Sequence, residues 1–201
     1  ETSASEEATP EEEEENNPLK DLIKNQYEDL EITAAVLLRR AILPGSSIPV
    51  TVAITNNGDK TIFYTQGSGV FETPQALRTQ FDGLQVVLPK DHLGIATMDF
   101  VTKELAPGES LEFVVNVLAI EPNEQFASYT YETYNEDEIY IADMEWPDLQ
   151  EKYPDLTAAA AGSYTGTVNF LYTLPAEDGA ADPFSGATGY AQAEVTIGVT
   201  E

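Results

Sequence analysis

Residues 48–64 read IPVTVAITNNGDKTIFY, two β-prone runs around one reversal signal. Ile48, Val50, Val52 and Ile54 alternate with Pro49, Thr51, Ala53 and Thr55, the period of a strand with one buried face. Asn56-Asn57-Gly58-Asp59 stops the run, because Asn and Gly tolerate the positive φ of a tight reversal. Thr61, Ile62, Phe63 and Tyr64 then restart a β-prone segment at once. Taken alone, the stretch reads as a hairpin. It is a fold signal and carries no chemistry.

The same alternation recurs outward from it. Ile32, Ala34, Val36 and Leu38 predict a strand over Leu30–Leu38, and Pro44-Gly45-Ser46-Ser47 turns the chain into residue 48. Further strands are expected around Leu84, Val86 and Leu88, over Phe100–Leu105, over Leu111–Val117, around Val168, Phe170 and Tyr172, and over Tyr190–Val199. Ala106-Pro107-Gly108-Glu109 is a turn. Thr73-Pro74 opens one short helical turn through Arg78. From Pro18 the period changes to 3.6: Asn17 can cap, and Leu19, Leu22, Ile23, Gln26 and Leu30 share one side of a short N-terminal helix ending near Asp29, which would cover an end or edge of the sheets.

Composition bounds the function. The chain has 201 residues with 42% hydrophobic content, enough for one core without metal or disulfide staples. With no cysteine there is no disulfide, thiolate nucleophile or cysteine metal site. A net charge of −27 with nine Lys and Arg repels phosphate backbones, so nucleic acid is excluded as a partner. No apolar run is long enough to span a membrane. Residues 1–17 hold eight Glu and no basic residue and are expected to be a disordered acidic tether, followed by a single domain over 18–201. Such a start resembles the stretch that follows a lipidated cysteine in bacterial surface lipoproteins. A secreted or cell-surface location, with a lipid anchor on a residue preceding Glu1, is the corresponding expectation.

Three pieces narrow the fold. Ile54-Thr55-Asn56-Asn57-Gly58-Asp59-Lys60-Thr61, Leu105-Ala106-Pro107-Gly108-Glu109-Ser110-Leu111 and Gly162-Ser163-Tyr164-Thr165-Gly166-Thr167-Val168 occur in that order. Together they resemble bacterial immunoglobulin-like domains of secreted proteins and lipoproteins, with a weaker similarity to the BsuPI-type proteinase-inhibitor family. The resemblance covers roughly residues 30–120 and 160–200 and implies an all-β, immunoglobulin-like Greek-key β-sandwich of about seven to nine strands. It implies that the first piece leaves an early strand, the second enters a middle strand and the third enters the penultimate one. It also implies that Tyr164 forms a tyrosine corner, and that residues 48–64 join the two layers rather than form a hairpin.

Residues 121–160 break the rhythm. They contain five Tyr, the sole Trp146 and only Lys152 among basic residues, and are read as an acidic aromatic insertion with a short hairpin or helical turn of its own. Two site types follow. Calcium wants several oxygen ligands, offered by Asn135, Glu136, Asp137 and Glu138 with Asp143, and separately by Asp178 and Asp182 around Gly179; the competing reading is a solvated acidic surface. Tyr131, Tyr134, Tyr140 and Trp146, with Tyr129 and Tyr153, supply ring area suited to a protein or carbohydrate ligand; the competing and preferred reading is a satellite core under the insertion. Catalysis could use only His92 beside Asp91, and Gly67-Ser68-Gly69 is too short for a nucleophile elbow. The expected function is a non-enzymatic extracellular binding, adhesion or structural module, with a proteinase-inhibitor-like module or small hydrolase as the alternative.

Overall fold

The computed structural model describes residues 23–24, 28–36, 41–67, 76–93, 100–176 and 188–201. In chain order the elements are β1 (Ile23–Lys24), β2 (Leu30–Val36), β3 (Ser47–Asn56), β4 (Ile62–Gly67), β5 (Leu77–Phe81), β6 (Gln85–Val86), β7 (Phe100–Leu105) and β8 (Ser110–Leu118), then the helices α1 (Phe126–Asp137) and α2 (Trp146–Lys152), then β9 (Gly162–Thr173) and β10 (Thr188–Val199). One sheet runs β2-β3-β8-β6; the other runs β1-β10-β9-β4-β7, with β5 also pairing β9.

The alternation of β3 is carried through the whole core. Ile48, Val50, Val52 and Ile54 are each fully buried and lie opposite Val117, Val115, Phe113 and Leu111 of β8. Such cross-strand aliphatic pairs set the register, since a slip of one residue would turn the buried row to solvent. The facing layer presents Ile62 and Tyr64 from β4, Val168, Phe170 and Tyr172 from β9, and Ala191, Val195, Ile197 and Val199 from β10.

The strand order is that of an immunoglobulin-type sandwich. β8 returns to lie beside β3 after the chain has visited the other sheet, and β10-β9-β4 form the opposing layer. Residues 48–64 therefore join two layers, as the Greek-key reading requires. Asn56, fully buried, pins the crossing: its Nδ2 donates to the carbonyls of Lys60 (2.8 Å) and Leu105 (2.9 Å), and its Oδ1 accepts from Gly58 N (3.2 Å). The Tyr164 hydroxyl donates to the Ala160 carbonyl at 2.8 Å, the bond of a tyrosine corner at the entrance to β9.

Several expectations change. Ile23 and Lys24 pair in parallel with Gly189 and Tyr190 and so form an edge strand, not part of a helix; the backbone hydrogen bonds offered by β10 outweigh the weak 3.6 period there. The rest of the expected N-terminal helix, the tether at 1–17, and Asp178, Gly179 and Asp182 lie outside the described residues. Leu77 and Arg78 belong to β5 rather than a helical turn, since they pair with Phe170 and Asn169. Ten strands are described against an expected seven to nine, two of them only two residues long.

Candidate functional site

The insertion leaves β8 at Leu118 and rejoins β9 at Gly162. Its backbone is stitched to the sandwich: Gly45 N donates to Ala119 O (2.7 Å), Ala119 N to Ser46 O (2.9 Å) and Ala159 N to Ala119 O (2.8 Å), and Ile120 bridges Ala158. Asn123 N donates to the Gln85 side chain at 2.9 Å. Instead of a short hairpin or single turn, it holds the twelve-residue α1, ended by Glu138 in the left-handed region (φ 58), and the shorter α2, whose Pro147 sits where a first-turn N–H needs no partner.

These helices enclose a second core. Phe126, Tyr140, Ile141, Leu149, Tyr153 and Leu156 bury against Leu118 and Ile120 at the end of β8. Phe126, Thr130 and Thr133 mark the inward side of α1. Thr130 returns its hydroxyl to the Phe126 carbonyl (2.9 Å), and Thr133 shares a hydrogen bond with the Tyr153 hydroxyl (2.8 Å). Tyr129 stacks on Tyr153 with centroids 4.1 Å apart and donates to Asp155 Oδ2 at 2.9 Å. Hydrogen bonds from Asn123 and Tyr129 hold the Asp155 carboxyl below its ordinary value.

The aromatic residues thus divide. Tyr140 is 5% exposed, so its ring belongs to the second core and leaves any recognition face. Its hydroxyl donates to Leu88 O (2.9 Å) and accepts from Asn116 Nδ2 (3.4 Å). Trp146 and Tyr134 are half-buried against the same core, and the Trp146 ring lies directly over Gly45. Tyr131 is 42% exposed. The preferred reading of a satellite core holds for most of the rings, and Tyr131 alone of the four named ligand candidates faces solvent.

The acidic candidates are spread rather than gathered. Successive residues on a helix turn by about 100°, so Asn135, Glu136 and Asp137 point in different directions, with Glu138 at the cap and Asp143 in the next turn. Among the described residues no three His, Cys, Asp or Glu side chains form a metal-holding group. Asp137 is ion-paired with Lys152, which raises the lysine above its ordinary value. Every Asp and Glu from 121 to 160 is exposed. His92 sits in a 3-10 turn over Lys90–His92, its Nε2 4.0 Å from Asp91 of the same turn.

A concave feature on the sandwich was missed from sequence. A groove of about 360 Å³ runs along the six-stranded sheet, lined among others by Phe63, Thr65, Arg78, Phe100, Leu171 and Thr173. Its signal was present in the unbroken apolar runs Ile62-Phe63-Tyr64 and Phe170-Leu171-Tyr172, which depart from strict alternation and place apolar side chains on both faces of β4 and β9.

Burial pushes the Tyr140 phenol from 10.0 up to about 12. A group whose neutral form is favoured by folding gives its full stabilisation below the unfolded pKa and loses it as pH rises toward the folded one. The Tyr140 contribution to the stability of the insertion is therefore expected to be flat below pH 10 and to fall between pH 10 and about 12. The Tyr140 share of that fall is about 3 kcal/mol. Alkaline titration followed by Trp146 emission, compared with Tyr140→Phe, checks this: the variant starts less stable and falls less steeply.

Layers and strand order define the class: an all-β, two-layer, immunoglobulin-like Greek-key sandwich with a helical insertion between β8 and β9. No protein-family model and no curated protein sequence matches the chain. Among solved structures it is similar to native alpha-2-macroglobulin from Escherichia coli, from domain MG7 to the C-terminus, at 14% identity and a TM-score of 0.37, over 85% of this chain and 17% of that one. It is also similar to the PapD-like domain 7 of human CEP192, at 11% identity and a TM-score of 0.31, over 100% and 99% of the two chains. A third likeness is to a structure from enteroaggregative Escherichia coli AAF fimbriae, at 13% identity and a TM-score of 0.29, over 85% and 99%.

Proposed function

We propose that the protein is a non-enzymatic binding module displayed outside a bacterial cell, with residues 1–17 as an acidic tether and the insertion as its recognition element. The observation that supports this most is the construction of the insertion. It has a core of its own, is bonded by backbone to the sandwich, and turns all its carboxylates outward. A rigid scaffold holding out one elaborated connection is how sandwich domains present recognition surfaces. The composition of residues 1–17 and the chain's overall charge fit a solvated, extended display.

Incubating the full chain with arrayed extracellular-matrix proteins and glycans tests the reading. Saturable retention with the captured material chemically unchanged is the expected result. Hydrolysis of any arrayed ligand, or stoichiometric inhibition across a protease panel without other retention, would overturn it.

A further inference from the structure

We propose that the solvent face of α1 docks a basic, arginine-bearing polypeptide with Tyr131 as its anchor, an inference that rests on the binding-module reading and names the partner class. The inward side of α1 is spoken for by Phe126, Thr130 and Thr133. The opposite side carries Ser128, Tyr131, Glu132 and Asn135, spaced i, i+3, i+4, i+7, and all four are exposed. A solvated helix face ordinarily holds small or charged residues. Here a Tyr stands at its centre, 42% exposed, and Ile139, 43% exposed, follows the cap.

The charges around this face choose the occupant. Glu132, Glu136 and Glu138 are exposed beside it, and Lys152, the sole basic residue of the insertion, is held by Asp137. Anionic partners are repelled, and within the insertion no basic residue other than Lys152 competes for these carboxylates. Arginine fits better than lysine, because its planar guanidinium can stack on the Tyr131 ring while its fork engages a carboxylate such as Glu132. A small free cation does not fit the whole face. Tyr131 on the helix and Ile139 just past its cap are both exposed, and these two apolar groups beside carboxylates call for a polypeptide with basic and apolar side chains.

The test uses the full chain and a fluorescent synthetic peptide of repeating Arg-Leu-Ser, with an Asp-Leu-Ser peptide as control, read by polarisation. Wild type is expected to bind the arginine peptide, less tightly as salt rises, and to ignore the control. Tyr131→Ala leaves the net charge untouched and is expected to weaken binding about tenfold. Trp146 emission confirms that its fold is intact. Glu132→Gln with Glu136→Gln is expected to weaken binding, whereas Glu112→Gln with Glu194→Gln, the same charge change on the exposed strand faces, leaves it as in wild type. Equal binding by all variants would mean diffuse attraction to an acidic protein and would overturn the proposal, as would no binding by wild type. Neither result touches retention of other arrayed ligands, so failure here is distinguishable from failure of the binding-module reading.

Discussion

Replacing Asn56 by Ala is expected to cost about 3–5 kcal/mol, because it strips partners from several backbone groups beside one buried crossing. The Asn56 amide is the common partner of the Lys60 and Leu105 carbonyls and the Gly58 N–H, and water cannot replace a side chain that is fully buried. Its backbone adds a further tie, accepting from Gly108 N (2.8 Å) and donating to Glu109 O (3.0 Å). The residue thus binds the β3–β4 crossing to the β7–β8 turn. Urea unfolding should show the loss as a lower midpoint with an unchanged slope. Asn56→Asp supplies a control, since it keeps the acceptor for Gly58 but removes both donors; a stability equal to wild type in either variant would refute this role.

Gly45→Ala is expected to cost about 3 kcal/mol, from a strained backbone and an overfilled contact together. Gly45 holds φ +80, and a Cβ there would lie 2.4 Å from Trp146 Cγ and Cδ2, so the indole has to leave its seat. Because Trp146 packs against the second core, the variant should loosen the insertion before the sandwich. Trp146 emission would shift to the red at a lower temperature than the loss of sheet circular dichroism, and arginine-peptide binding would fall with it. Coincident transitions with an unshifted emission would show that Trp146 does not couple the two cores.

The sandwich was legible because alternation is a local property. Ile48 to Ile54, Leu111 to Val117 and Tyr190 to Val199 each announce one buried face with no knowledge of a partner strand. The tyrosine corner at Tyr164 was implied by the immunoglobulin-like resemblance of residues 162–168, and it too is local, since its bond to Ala160 spans four residues. Ile23 and Lys24 were not readable as a strand, because only the edge of β10 makes them one. In the insertion, the apolar positions of α1 are interrupted by Thr130 and Thr133, polar by composition yet buried through the hydrogen bonds they make, so the twelve-residue helix was reduced to a turn.

Residue order alone therefore determined an all-β chain, its principal strands, a reversal at Asn56-Asn57-Gly58 and a strongly acidic insertion between two strands, while the layer crossing at that reversal came from the resemblance and the sheet order. Tertiary structure alone decided which aromatic rings are core and which is surface. Tyr131, Tyr134, Tyr140 and Trp146 are equivalent as letters in an acidic aromatic stretch. The fold buries Tyr140 under Leu88 and Asn116, lays Trp146 across Gly45 and leaves Tyr131 outside. The physical reason is that burial depends on contacts between residues far apart in the chain, and short-range periodicity carries no record of them.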